Sequence, residues 1–281
     1  MRLFARPAGW VRLCHPFPVA MTVLATLVFT WLARPGRPPH LDELGRIGLA
    51  MLLGQISISA CNDYCDRALD AATKPWKPIP AGQVPARAAL WLGILAYLLM
   101  WPVAWTFGAV PAVVLGFATA MGLLYDLWLK RTPFSIVPFL VAFPLVPIWV
   151  SVALGSFQPR MALFFPAGAL LVLGIHLADT LPDLEDDAGA GLQGLAHRLG
   201  KRRAMALSWV AFGTTLALAM ILAWQRGSHS TLVLAGIGGA LALGGLAFGS
   251  WQPTPQGLRR AFYLQATAAV ALAVALYIAL R

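Results

Sequence analysis

The run Leu49–Cys61, "LAMLLGQISISAC", carries no charge, and it leads without a break into Asn62–Gly82, "NDYCDRALDAATKPWKPIPAG", which carries Asp63, Asp66, Asp70, Arg67, Lys74 and Lys77. A soluble enzyme could bury the first stretch in its core. In this chain the same pattern recurs from end to end. Of the 281 residues, 59% are hydrophobic and only 11% are charged, and the mean hydropathy is +0.72. That composition lies outside the range of soluble domains and defines a polytopic membrane protein. About 20 mostly apolar residues span a bilayer as a helix. The chain offers nine such runs, at 17–33, 44–61, 86–105, 108–127, 133–154, 161–178, 204–224, 231–250 and 261–280. The expected fold is therefore all-α, one integral-membrane domain over 1–281, a bundle of about nine helices. Pro111, Pro138, Pro144, Pro147 and Pro166 fall inside these runs, and transmembrane helices tolerate such kinks.

Arg2, Arg6 and Arg12 precede the first run as they would in a signal peptide. The run is long for a signal, however, and no small-residue cleavage site follows before "ARPGRPPH", so it reads as a retained span. With the N-terminus cytoplasmic, the inner segments hold 15 of the 21 Lys and Arg, and the outer ones hold Arg34, Arg37, Arg46, Arg160, Arg226 and Arg281. The C-terminus then lies outside. The net charge of +10 is spread over short loops with no soluble domain to present it. Anionic lipid headgroups and a phosphorylated substrate fit that pattern better than nucleic acid does.

Cys14, Cys61 and Cys65 fall at the reducing, cytoplasmic side, where no structural disulfide is expected. Cys61 and Cys65 are spaced like a helical metal pair but read more simply as small packing residues. His176, one turn before Asp179, reads as a core histidine.

Of the eleven acidic residues, nine lie in or between two clusters. Asp63, Asp66 and Asp70 follow the second run. Asp179, Asp183, Glu185, Asp186 and Asp187 follow the sixth, and Asp126 stands between. Both clusters end an even-numbered span, so both face the cytoplasm. Asn62, Asp66 and Asp70 recur every four residues, as do Asp179, Asp183 and Asp187, 117 residues further on. On a helix each triplet makes one polar stripe, although Pro182 bends or restarts the second. Acidic groups at membrane depth are costly and need partners or a function. Like charges one turn apart repel, and a shared cation resolves that repulsion. Carboxylate and amide oxygens are hard ligands suited to Mg²⁺, which combines few carboxylates with substrate phosphate oxygens. Two Mg²⁺ ions with a diphosphate between them satisfy both stripes. Lys74, Lys77, Lys130 and Arg131 fall on the same side, Arg as a fork for phosphate and Lys as a point charge. Arg87, Arg259, Arg260 and the "RLGKRRA" group read as positive-inside anchors.

"NDYCDRALD" with "KPIPAG", then "YDLWLKR", then "DTLPDLEDDAGAGLQGLAHRLG" together resemble the UbiA superfamily of intramembrane prenyltransferases, in family order and over nearly the whole chain. Three positions depart from the family pattern: Lys77 stands where many members have Arg, Asp179 where Asn is common, and Asp126 where a neutral residue is expected. The resemblance implies transfer of a prenyl group from an allylic diphosphate to a phenolic or quinone-precursor acceptor, in a cavity open to lipid. It implies that Asn62, Asp66 and Asp70 hold one Mg²⁺ and Asp179, Asp183 and Asp187 the other. Arg67, Lys77, Lys130 and Arg131 then bind diphosphate, with Asp66, Asp70, Asp183 and Asp187 counted as catalytic. Aromatic faces suit the allylic cation so formed, and Tyr64 and Tyr125 adjoin the motifs. Three other readings remain: cyclisation of the substrate, transfer to a glyceryl or phosphoribosyl acceptor, and an ion or phosphate transporter. Transporters, however, place their sites near the midplane.

Overall fold

The computed structural model describes residues 7–34, 36–132, 134–184 and 194–281, and among these the regular structure is all helical. The nine expected spans all fall on apolar helices. Seven of those helices are long and apolar enough to cross a membrane alone, and a bent pair at the start adds one more. Large apolar side chains on their outer faces, such as Trp91, Leu98, Phe117 and Val233, are exposed. A surface of that kind needs a lipid partner. The helices fall into two compact units.

The first unit comprises 1–128 and 149–156. It begins with α1 (Pro7–Leu13) and α2 (Pro16–Leu32), which meet at His15 and diverge by 57°. Two prolines, Pro16 and Pro18, favour a fresh helix start there. Next come α3 (Leu41–Thr73), α4 (Ala86–Trp105), α5 (Ala109–Leu127) and the end of α6 (Val137–Ala153). α3 is the hub: α1, α2, α4 and α5 all pack on it. Gly93 of α4 allows close approach, since a Cβ there would stand 3.2 Å from the Ser57 carbonyl. At its start α3 is tied down by Arg34–Glu43 (2.7 Å) and Arg46–Asp42 (2.6 Å) pairs.

The observed α3 departs from the expected span, because it continues to Thr73 instead of ending at Cys61. At 33 residues it runs about 50 Å, longer than the roughly 30 Å of hydrocarbon. Asn62–Asp70 therefore ride on its continuing end. The connection to α4 is ordered by its own hydrogen bonds, from the amide nitrogens of Ala81 to the Lys77 carbonyl (2.9 Å) and of Gln83 to the Pro78 carbonyl (2.9 Å). Leu13, Ala60, Val84 and Ala89 bury together beneath it, with Ile79 and Trp10 against them. α1 thus packs against the loop that carries Lys77.

The second unit comprises 129–148 and 157–281. It holds a 3₁₀ turn (Leu129–Arg131), the first part of α6, a second 3₁₀ turn (Pro159–Leu163), α7 (Phe164–Thr180), α8 (Leu195–Gln225), α9 (His229–Trp251) and α10 (Pro255–Leu280). α7 and α8 meet at Gly174, where Phe212 packs and the Ser208 hydroxyl donates to the Gly174 carbonyl (2.9 Å). α8 starts nine residues before its expected span and breaks at Gly200, whose φ of 72° ends the turn made by "LAHRL". α7 stops at Thr180, ahead of Pro182. Asp179 lies on α7 and Asp183 beyond its end, so these two do not share one continuous helix, as expected from the proline.

Candidate active site

In the first unit the carboxylates of α3 are partnered individually. Asp63, 1% exposed, accepts at Oδ1 from His15 Nε2 (3.0 Å) and from Lys77 Nζ (2.9 Å). The same ammonium reaches Asp70 Oδ2 at 2.7 Å, and Asp70 is 3% exposed. Asp63 and Asp70 lie seven residues apart, two helical turns, so one lysine spans both. Burial pulls the Lys77 pKa down, but the hydrogen bonds and charges of Asp63 and Asp70 outweigh it and hold the group above the ordinary lysine value. Asn62 donates to Asp126 Oδ1 on α5 (2.9 Å), and Asp126 is buried. Asp66 is half-buried on the same stretch. Arg67 faces outward: it donates to the Tyr64 carbonyl (2.7 Å) and lies over the Tyr64 ring at 4.4 Å. Tyr64 thus has Arg67 on its face.

In the second unit Asp179 is exposed on the last turn of α7. Asp183 follows the helix end and pairs with Arg259 of α10 at 2.5 Å, both side chains about half exposed. Asp187, with Glu185 and Asp186, lies outside the described residues. Lys130 is half-buried and Arg131 exposed on the first 3₁₀ turn. His176 packs against Phe139 of α6 with ring centroids 5.0 Å apart and the rings tilted by 39°, as in a core histidine.

The donors suit Mg²⁺. All are hard oxygens, and Asp70 already takes a cation, the Lys77 ammonium. Among the described residues no three His, Cys, Asp or Glu side chains converge. Asn62, Asp66 and Asp70 are the residues of this unit that would hold such an ion, together with substrate phosphate oxygens. Three residues that pair with the motif side chains went unread as partners in the sequence. Asp63 sits off the four-residue stripe, although its seven-residue spacing to Asp70 is equally helical. His15 belongs to a distant segment, and no local signal marks it. Arg259 looks like any positive-inside anchor.

Apolar helices long enough to cross a bilayer, ending in buried carboxylates that grip a lysine, define a multi-pass membrane protein with polar chemistry at its helix ends. The chain belongs to the UbiA prenyltransferase family, whose pattern matches residues 22–279, and it is a prenyltransferase. It is 30% identical over 227 residues to the digeranylgeranylglyceryl phosphate synthase of Korarchaeum cryptofilum, covering 76% of this chain and 75% of that one. It is 28% identical over 239 residues to the bacteriochlorophyll synthase 33 kDa chain of Cereibacter sphaeroides, covering 82% and 74%. A UbiA homologue from Archaeoglobus fulgidus, solved bound to GPP and Mg²⁺, shares the fold with a TM-score of 0.72 over 96% of this chain and 99% of that one, at 16% identity.

Proposed function

We propose that this protein transfers a prenyl group from an allylic prenyl diphosphate to a lipophilic acceptor within the membrane, an aromatic or quinone precursor, with Mg²⁺ as cofactor. The observation that carries the reading is the grip of Asp63 and Asp70 on Lys77 at the end of an apolar helix. It supplies hard oxygens and a fixed positive charge where an amphiphilic diphosphate lies with its tail in lipid. The GPP and Mg²⁺ of the Archaeoglobus fulgidus homologue support the substrate class. The family match across 22–279, which includes both acidic motifs, supports one catalytic domain.

In this mechanism Asn62, Asp66 and Asp70 would hold one Mg²⁺, and Asp179, Asp183 and Asp187 would hold the other. Lys77, Lys130, Arg131 and Arg67 bind the diphosphate oxygens. Mg²⁺, when bound, neutralises the diphosphate and makes it a leaving group. The allylic C–O bond breaks with its electron pair going to diphosphate, a bond forms from the acceptor to the allylic carbon, and the acceptor loses a proton. The apolar helices keep water from the allylic cation.

The test is incubation of purified protein in lipid with Mg²⁺, prenyl diphosphates of several lengths, and phenolic, glyceryl and tetrapyrrole acceptors, with products identified by mass spectrometry. A prenylated phenolic product that disappears in chelator is expected. A glyceryl or tetrapyrrole product would move the acceptor class toward that of the named relatives. A cyclised hydrocarbon without acceptor would make the enzyme a cyclase. Uptake of labelled ion or phosphate into proteoliposomes without product would make it a transporter.

A further inference from the structure

His15 is the non-glycine residue with positive φ among the described residues, at φ 47° and ψ 65°. Such a conformation is uncommon outside glycine and persists where the surroundings impose it. Here the surroundings are the 57° break between α1 and α2 and the bond from His15 Nε2 to Asp63. Asp63 also takes the Lys77 ammonium, so it is an ionised acceptor, and His15 is the donor between them. Both donors fall on one oxygen, Oδ1. The first helix adds a second tie to the same loop, because Arg12 donates to the Trp76 carbonyl (2.9 Å). Pro75, Pro78 and Pro80 bracket Lys77 and limit its backbone. Lys77 is thus steered from three sides, while its other carboxylate, Asp70, belongs to the proposed Mg²⁺ set.

We propose that His15 and Asp63 are positioning residues for the prenyl transfer: His15 fixes the Asp63 carboxylate, and Asp63 holds the Lys77 ammonium at the diphosphate while Asp70 serves the cation. The inference rests on the reading that Lys77 binds diphosphate. It gives Asp63, adjacent to the metal motif, a role distinct from metal ligation. A flexible lysine loses rotamer entropy when it binds an anion, and a carboxylate clamped in one rotamer removes that cost beforehand.

The experiment measures binding of geranyl and geranylgeranyl S-thiolodiphosphate at saturating Mg²⁺, with KM, kcat and the Mg²⁺ half-saturation point, in the full-length protein reconstituted in lipid. His15→Asn keeps a residue that tolerates the left-handed backbone but is too short to reach Asp63. His15→Gly serves the same comparison should the asparagine variant fold poorly. Lys77→Met should weaken binding at least tenfold, and His15→Asn and Asp63→Asn about three- to tenfold, the size of an ordinary net hydrogen bond. In the Lys77→Met background neither should weaken it further, because they act through Lys77. Their Mg²⁺ half-saturation should match the wild type. Multiplicative losses in the double variants, or unchanged binding in the His15 variants while Lys77→Met is impaired, would overturn the positioning role. A shifted Mg²⁺ requirement in Asp63→Asn would make Asp63 a ligand and overturn it too. Intact binding in Lys77→Met instead removes the underlying reading of Lys77, and the inference with it.

Discussion

Asp183 and Arg259 of the second unit form a close carboxylate–guanidinium pair, yet both side chains are about half exposed. Exposed pairs contribute about 0–1 kcal/mol to stability, so the pair adds little to the fold by itself. If Asp183 belongs to a cation site and Arg259 merely neutralises it, the two partners are unequal. Arg259→Gln should leave the Tm within about 2 °C of wild type and keep most of the turnover. Asp183→Asn should lower kcat by orders of magnitude while the protein stays folded, and Asp66→Asn should behave alike. Equal losses for Arg259 and Asp183, measured on the same substrate, would make Arg259 a substrate contact. At this scale the four-residue spacing made Asn62, Asp66, Asp70, Asp179 and Asp183 visible, because helical period is written into consecutive sequence. Partners were not visible. Asp63 meets His15 from 48 residues away and Asn62 meets Asp126 from 64, and no local pattern encodes which distant segment returns to a helix.

Helices that read as equally apolar differ in how closely they approach one another. α9 and α10 pack through Gly238, Gly245 and Gly249, and a Cβ at Gly245 would stand 3.0 Å from the Ala261 carbonyl and 3.1 Å from Gln265 and Leu264. In lipid, helix association depends on such close packing because tails are as apolar as leucine. A carbonyl cannot rotate away as a side-chain tip can. Gly245→Val should therefore destabilise by about 1–3 kcal/mol, read as a lower Tm in detergent. Gly244→Val, one residue along with nothing within 4 Å of its added Cβ, should be close to neutral. Equal melting of the two variants would mean that α9 and α10 do not rely on this contact. The existence of these helices was legible from apolar run length alone. Their ends were not, since Arg67 and Asp70 on α3, and the "RLGKRRA" residues at the start of α8, are charged yet helical. Hydropathy registers where lipid ends, whereas the helix continues as long as its backbone bonds and caps allow.

Across the whole chain, the distribution of positive charge is the ground for the proposed orientation. With the N-terminus inside, the expected cytoplasmic segments carry 15 of 21 Lys and Arg, against six on the other side. Each Lys or Arg left on the wrong side costs insertion energy, and the bias is counted over short loops, which is what this chain has. The orientation proposed on that basis would put the loop of Lys74 and Lys77 and the turn of Lys130 and Arg131 at the cytoplasm. Lys74 and Arg131 are exposed at the one expected face, and Gln158 is exposed at the other. In a variant with Cys14, Cys61 and Cys65 replaced by Ser or Ala, Lys74→Cys and Arg131→Cys should resist a membrane-impermeant thiol reagent in right-side-out vesicles and react once the membrane is permeabilised. Gln158→Cys should react before permeabilisation. The reverse pattern would place the carboxylate motifs outside, away from a cytosolic substrate, and would require the diphosphate to be supplied from the opposite side of the membrane. Labelling of Lys74→Cys and Gln158→Cys from the same side would instead show that an odd number of the helices between them fails to cross.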